Sequence, residues 1–244
     1  ANRVSNDVSA FTINNTTGAL SAVAGSPFAA GSAPMYITVD PSGRFAYVAN
    51  LTSNNVSAYT IDGTTGALTA VVGSPFAAGG TPRAIAVDPS GRFAYVANQS
   101  DSLSTFAINN TTGALTAVDT IAAGPLPTSV TVDPSGRFAY VVNRLANSLS
   151  AYTIDSTTGA LTAVGASVPA GTAPMVVTVD PSGRFAYVTN YGDDNVLRYT
   201  INALTGVLGS SSTIGAGNGP LSVAIDPRGR FVYVANASNS ISAY

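Results

Sequence analysis

The residues that could do chemistry in this chain are of few kinds. Its ten basic residues are all arginine and its twelve acidic residues are all aspartate, and histidine, cysteine and tryptophan are absent. These absences exclude a Ser-His-Asp or Cys-His nucleophile, a His-ligated metal, a lysine Schiff base and a glutamate acid or base. What remains is the chemistry of carboxylates that accept hydrogen bonds and of guanidinium groups that hold anions.

Ten of these charges recur in pairs within the motif Asp-Pro-Ser/Arg-Gly-Arg-Phe. A ring of arginines could hold an anion. The favoured interpretation is that each arginine pairs with a turn aspartate of its own or a neighbouring unit and fixes the spacing of the units. The pairs are Asp40/Arg44, Asp88/Arg92, Asp133/Arg137, Asp180/Arg184 and Asp226/Arg230.

The elements that position these pairs repeat every 45–48 residues, in five units that cover residues 1–244 as one domain. Each unit reads as four short strands, rich in Val, Thr, Tyr and Ala and separated by Pro, Gly and Asn turns. A period in the mid-forties without a helical pattern predicts a β-propeller of four-stranded blades. The fold class is therefore all-β.

Counting the strands predicts how the ring closes. The first, second and fourth strands of the unit each occur five times, but the third strand occurs six times. Its first copy lies near Phe11 and its last copy near Tyr244. The sequence predicts five blades with a closing blade shared between the N- and C-termini, in which the two copies compete for one position. A monomer with one frayed copy is favoured, and a strand-exchanging oligomer is the alternative.

The second strand carries Tyr187-Val188-Thr189-Asn190 in one unit and Tyr-Val-Ala-Asn or Tyr-Val-Val-Asn in the others. With Asp-Pro-Ser-Gly-Arg before it and Thr-Gly-Ala-Leu-Thr-Ala-Val after the third strand, this motif resembles the YVTN-type, lactonase-like β-propeller repeat over essentially the whole chain. The resemblance implies the propeller fold. Lactonase-type members are seven-bladed and use His, Glu and Arg in a central groove, and this chain has no His or Glu for those roles.

One face of such a propeller is usually the ligand face, and two rows of residues fall on it. The first row is an asparagine at the end of every second strand, which could bind a polar ligand such as a glycan but more simply shapes the local turn. The second row starts the inner strands, and Arg83 is its only charge. The predicted ligand-binding residues are Asn50, Asn98, Asn143, Asn190, Asn236 and Arg83.

The remaining expectations follow from composition. The net charge is −2 with 9% charged residues, which argues against nucleic acid, and no apolar run is long enough to insert into a membrane. No cofactor and no metal is predicted, because Asp193-Asp194 is interpreted as a solvated loop. A glycan or protein is the expected partner. A surface of Ser, Thr, Asn and Gly favours an extracellular or cell-surface location.

The missing catalytic residue types favour a non-enzymatic binding or scaffold module. Two alternatives stay open. The first is a lactonase-like hydrolase that uses Arg83 with Asp or Tyr residues of the pore mouth, and it predicts lactone hydrolysis above background. The second is a fragment or strand-exchanging unit of a longer repeat array.

Overall fold

A computed structural model describes residues 1 to 244. The chain forms twenty-five strands in seven antiparallel sheets and contains no helix. No segment therefore forms a helix of the length and apolarity needed to cross a membrane. The N-terminal segment, which we call the N-terminal hairpin, makes two small sheets. Its strands are β1 (Asp7–Val8), β2 (Phe11–Ile13), β3 (Leu20–Ala22) and β4 (Phe28–Ala29), paired as β1 with β4 and β2 with β3.

Five blades follow, and each begins with an inner strand. The first blade contains β5 (Pro34–Val39), β6 (Phe45–Asn50), β7 (Asn55–Ile61), β8 (Leu68–Ala70) and β9 (Phe76–Ala77). The second contains β10 (Pro82–Val87), β11 (Phe93–Asn98), β12 (Ser102–Ile108) and β13 (Leu115–Ala122). The third contains β14 (Pro127–Val132), β15 (Phe138–Asn143), β16 (Ser148–Ile154), β17 (Leu161–Ala163) and β18 (Val168–Pro169).

The last two blades differ in size. The fourth contains β19 (Pro174–Val179), β20 (Phe185–Asn190), β21 (Asn195–Ile201) and β22 (Leu208–Gly215). The fifth has only three strands, β23 (Pro220–Ile225), β24 (Val232–Asn236) and β25 (Ser240–Ala243). The inner strands β5, β10, β14, β19 and β23 pack against one another in that order. The prediction of an all-β propeller with five blades is confirmed.

The turn between the first two strands of a blade is built on its aspartate. The Asp40 carboxylate accepts the amides of Phe45, at 2.7 Å, and Ser42, at 3.1 Å, and the turn closes through Gly43 at φ +71°. Burial alone would raise the pKa of Asp40, but hydrogen bonds from Ser42 and Phe45 outweigh it and hold that pKa below its usual value. The carboxylate is thus used by its own turn.

Three arginines of the motif, Arg44, Arg92 and Arg137, donate to the neighbouring blade instead of pairing with the aspartates. Arg44 lies over the Phe45 ring, 5.1 Å from its centroid, and donates to the carbonyl oxygen of Asn110 at 2.7 Å. Salt bridging within 4.0 Å is confined to Arg230 and Asp226, at 3.9 Å. The predicted Asp/Arg pairing is therefore wrong for the other four units, in which each aspartate accepts hydrogen bonds from backbone amides of its own turn.

Blade-to-blade packing repeats one arrangement. The buried Tyr47, Tyr95 and Tyr140 each donate to a glycine carbonyl in the turn before the fourth strand of the next blade, at 3.0, 3.0 and 3.1 Å. The phenylalanine two residues earlier covers the same glycine. A Cβ on Gly113 would lie 2.3 Å from Phe45, and Gly113 has φ +75°, so both space and backbone require glycine there.

The predicted sharing of the closing blade is not observed. β25 pairs with β24, and β2 pairs with its own β3, so the two copies of the duplicated strand lie in separate sheets. The N-terminal hairpin packs on the first blade, where Asn6 accepts the Ala33 amide at 2.8 Å and Tyr59 donates to the Ala29 carbonyl at 2.6 Å. These local contacts hold the hairpin beside the strand that follows it.

The two ends of the blade series are open. Phe11 of the N-terminal hairpin is 52% exposed, whereas Phe106 at the equivalent position is 2% exposed. Tyr233 of the fifth blade is 45% exposed, whereas Tyr140 is fully buried. The five blades therefore form an arc whose two open ends are the N-terminal hairpin, beside the first blade, and the outer side of the fifth blade.

Candidate functional site

The starts of the five inner strands converge on one cavity of about 210 Å³, which we call the pore mouth. Each inner strand begins at a proline, which is tolerated at the first position of a strand, and the next two residues face the opening. Repeat symmetry thus places five short segments around one axis. The residues of the pore mouth are Met35, Tyr36, Arg83, Ala84, Thr128, Ser129, Met175, Val176, Leu221 and Ser222.

Arg83 is the charged residue of the pore mouth, as the sequence predicted for this row. It is half-buried, and it takes part in no salt bridge. Burial lowers the pKa of Arg83, and the positive charges of Arg144 and Arg3 lower it further. A guanidinium stays protonated despite such a shift. The pore mouth therefore carries an uncompensated positive charge in a partly desolvated place, where its interactions are stronger than in water.

Two of the hydroxyl groups beside Arg83 are used to join blades. Thr128 donates to the Met175 carbonyl at 2.9 Å, and the Ser129 hydroxyl accepts the Val177 amide at 3.2 Å. Tyr36 differs, because its side chain is 48% exposed and lines the opening. Tyr36 is not among the residues that the sequence predicts for this face. Aligning the third residue of each inner strand could have found it, since the other blades place Ala84, Ser129, Val176 and Ser222 there.

The five predicted asparagines lie behind the opening. Asn50 is fully buried, and its amide nitrogen donates to Asn55 at 2.8 Å and to Ser57 at 2.9 Å. A Cβ on Gly31, in the loop before the inner strand, would come within 2.6 Å of the Asn50 amide nitrogen. The other four asparagines repeat this placement, and none of the five lines the pore mouth. Of the predicted residues, the structure brings only Arg83 to the opening.

A second cavity of about 220 Å³ lies between the inner strands and shares Tyr36 and Ser129 with the pore mouth. Its other lining residues are Thr38, Ala86, Thr131 and Thr178, together with branched apolar residues. Small residues at these positions fit strands that converge on an axis. The wall holds no charged side chain, so it offers no carboxylate or guanidinium group.

The chemistry available at the pore mouth is electrostatic. A guanidinium can hold an anionic group, or can stabilise negative charge that develops on an oxygen during a reaction. The amphipathic ring of Tyr36 can pack on a sugar ring. No carboxylate lines the opening, so a general base from the pore mouth itself is not part of the site.

Comparison with known proteins identifies relatives of this arrangement. The sequence matches the family model described as lactonase, seven-bladed β-propeller, over residues 1–82, 74–178, 125–223 and 176–244. No sequence among curated proteins matches the chain significantly.

Solved structures share the fold. A candidate 6-phosphogluconolactonase of Bacteroides uniformis aligns with a TM-score of 0.84 at 22% identity, over 96% of this chain and 73% of that one. One from Bacteroides fragilis aligns equally well, over 72% of its own length. A periplasmic gluconolactonase of Pseudomonas aeruginosa aligns with a TM-score of 0.58 at 18% identity, over 96% of this chain and 86% of that one.

These matches correct the functional prediction. The expectation of a non-enzymatic binding or scaffold module is wrong, because the whole chain matches a family of lactonases, whereas the extracellular or cell-surface location stays a prediction. The alternative of a lactonase-like hydrolase is the better supported one. The prediction was wrong because it was based on the absence of His and Glu. That absence excludes particular catalytic mechanisms, but it does not exclude hydrolysis.

Proposed function

Because this chain belongs to the seven-bladed β-propeller lactonase family, we propose that it is a hydrolase that opens a sugar lactone at the pore mouth. One observation carries the assignment to this place: the half-buried, unpaired guanidinium of Arg83 on the axis of the blades. A lactone carbonyl gains negative charge on its oxygen when water attacks, and a fixed cation stabilises that charge.

The reaction needs little more from the protein. Water adds to the carbonyl carbon, the carbonyl oxygen becomes an oxyanion, and the ring C–O bond breaks as the tetrahedral intermediate collapses. The leaving ring oxygen takes up a proton and becomes a hydroxyl group, while the carbonyl carbon becomes a carboxylate. With no imidazole in the chain, the attacking water loses its proton to solvent, and Arg83 contributes orientation and charge stabilisation.

The substrate class we propose is a sugar lactone that carries a negative charge. The charges of Arg144 and Arg3 add to that of Arg83 and favour an anionic ligand at this opening. Two structural neighbours, both described as candidate 6-phosphogluconolactonases, agree with this class. The exposed ring of Tyr36 supplies a surface for the sugar.

The test is the variant Arg83→Met, which replaces the charge by the residue that two other blades carry at this position, Met35 and Met175. Hydrolysis of 6-phosphogluconolactone and gluconolactone is followed in a pH-stat, with the spontaneous rate subtracted. Loss of a group that stabilises the oxyanion lowers kcat by about 10²–10³. The matched control is Arg92→Met, which removes an exposed arginine of the same unit. Full turnover by Arg83→Met, or none by the unaltered protein with either lactone, contradicts the proposal.

A further inference from the structure

The residue that follows the second strand varies from blade to blade, and the third blade carries a charge there. The five residues are Leu51, Gln99, Arg144, Tyr191 and Ala237. Arg144 is half-buried, and it takes part in no salt bridge. A cation that has lost part of its hydration without gaining a carboxylate partner is available to an anionic ligand.

Backbone hydrogen bonds place Arg144 beside the pore mouth. Its amide donates to the Leu126 carbonyl at 3.0 Å, and Leu126 lies two residues before Thr128, which lines the pore mouth. The strand that carries Thr128, β14, packs against β10, which carries Arg83. Arg83 and Arg144 therefore belong to adjacent blades and lie at the same end of their sheets.

The turn that presents Arg144 is held on both sides. The Asn147 amide closes it on the Arg144 carbonyl at 3.3 Å, and the Asn147 side chain accepts the Ala173 amide of the fourth blade at 2.9 Å. On the other side, the Asp101 carboxylate of the second blade accepts the Leu126 amide at 2.8 Å. Contacts with both neighbouring blades thus fix the backbone of Arg144, which lowers the entropy lost when its side chain binds a ligand.

The guanidinium groups of Arg83 and Arg144 act on each other. Burial lowers the pKa of Arg83, and the charge of Arg144 lowers it further, so the two like charges lie near enough to repel. The Asp101 carboxylate, in the loop of the second blade, is tied to Leu126 and forms a salt bridge with neither arginine. A bound anion relieves this repulsion, and an anion of higher charge relieves more of it.

We propose that Arg144 binds the phosphate group of a phosphorylated sugar lactone whose carbonyl oxygen lies at Arg83. This role rests on the lactonase reaction proposed above, and it makes Arg144 the residue that distinguishes phosphorylated from unphosphorylated substrates. Arg83 lines the cavity, whereas Arg144 lies outside the lining, at the rim.

The two positions suit the two ends of such a substrate. The reacting carbonyl gains most from a cation in the partly desolvated cavity. A phosphate monoester carries about 1.5–2 negative charges at pH 7, and it is held at less cost at the rim, where water keeps part of its hydration. The planar guanidinium of Arg144 can bind two phosphate oxygens at once.

The test compares two lactones in the variant Arg144→Gln, which replaces the charge by the residue that the second blade carries at this position, Gln99. Loss of a charge-assisted contact should lower kcat/KM for 6-phosphogluconolactone by about tenfold or more, mainly through KM. Hydrolysis of gluconolactone should be unchanged. Arg83→Met, in contrast, should lower kcat with both lactones.

The matched control is Arg137→Gln. Arg137 directly precedes β15 and Arg144 directly follows it, so the two arginines lie at opposite ends of one strand. Arg137→Gln should keep both activities, and an equal loss with the phosphorylated lactone there would indicate unspecific attraction and overturn the inference. Equal losses with both lactones in Arg144→Gln, or no loss with either, would also overturn it.

Isothermal titration with the hydrolysis product 6-phosphogluconate, and with gluconate, measures the phosphate contact without turnover. The unaltered protein should bind 6-phosphogluconate more tightly, and Arg144→Gln should weaken the binding of 6-phosphogluconate alone by about tenfold or more. If this holds while neither lactone is hydrolysed, the proposed reaction is wrong and the phosphate site stands. Equal affinities of the unaltered protein for the two acids overturn the phosphate site, whether or not the lactones are hydrolysed.

Discussion

The hydroxyl of Tyr140 is expected to stabilise the fold by joining two blades, and the variant Tyr140→Phe isolates that contribution. The side chain is fully buried, and its hydroxyl donates to the Gly206 carbonyl at 3.1 Å across the interface between the third and fourth blades. Phenylalanine keeps the ring and its packing. What the variant removes is one donor, and it leaves a buried carbonyl without that partner.

The magnitude follows from that geometry. Leaving a buried acceptor unpaired costs about 1–3 kcal/mol. For a chain of this length, each kcal/mol lowers the melting temperature by roughly 2–4 °C. The matched control is Tyr187→Phe, in which the same substitution removes a hydroxyl that has no glycine partner in the fifth blade. That variant is expected to change the free energy of unfolding by less than about 0.5 kcal/mol, as for a substitution that breaks no buried contact.

The assay is urea unfolding followed by far-UV circular dichroism, with thermal melts as a second measure. We compare the urea concentration at the midpoint of unfolding and the slope of the unfolding free energy against urea concentration. A change in the slope alone would indicate a loss of cooperativity and not a loss of stability. Equal shifts in the two variants would refute the reasoning. They would mean that the hydroxyl contributes through local solvation and not through the bond between blades.

Two further predictions concern the same interfaces. Gly159→Ala places a Cβ 2.3 Å from the Phe93 ring, whereas Gly18→Ala, at a similar φ of +71° against +75°, places its Cβ in open space. Gly159→Ala should therefore lower the free energy of unfolding by about 1–3 kcal/mol more than Gly18→Ala does. Equal losses in urea unfolding would contradict the steric reasoning. Burial raises the pKa of Tyr199 to about 12, above the unfolded value of about 10, so the folded state holds this proton longer and stability falls as pH rises from about 10 through 12. Melting temperatures recorded between pH 8 and 12 should therefore decline above pH 10, less steeply in Tyr199→Phe, and a decline unaffected by that substitution would contradict the assignment.

The local structure could be predicted from the sequence because it depends on residues that are close together. Asp40, Pro41 and Gly43 specify their turn by short-range hydrogen bonding and backbone preference, and the strand that follows carries a clear apolar pattern. The partner of Arg44 lies in the next blade, 66 residues away, and depends on how two sheets face each other. Sequence patterns of one unit do not contain that information.

The closing blade and the site show the same limit. Phe11 and Tyr244 belong to two copies of one strand pattern, so the sequence cannot rank their pairings, and the contacts of Asn6 and Tyr59 with neighbouring segments decide the outcome. Arg83 could be predicted because it is the only charged residue in a row that otherwise holds Met35, Thr128, Met175 and Leu221.

The open arc has a consequence for how the molecule loses its structure. Each inner blade is held on two sides, whereas the N-terminal hairpin and the fifth blade are each held on one, and neither end supports the other. Local unfolding in such an array begins at its ends and proceeds inward. Amide hydrogens of β11 and β15 should therefore exchange with solvent most slowly, and those of β2 and β25 fastest, so that protection falls from the middle of the chain toward both termini.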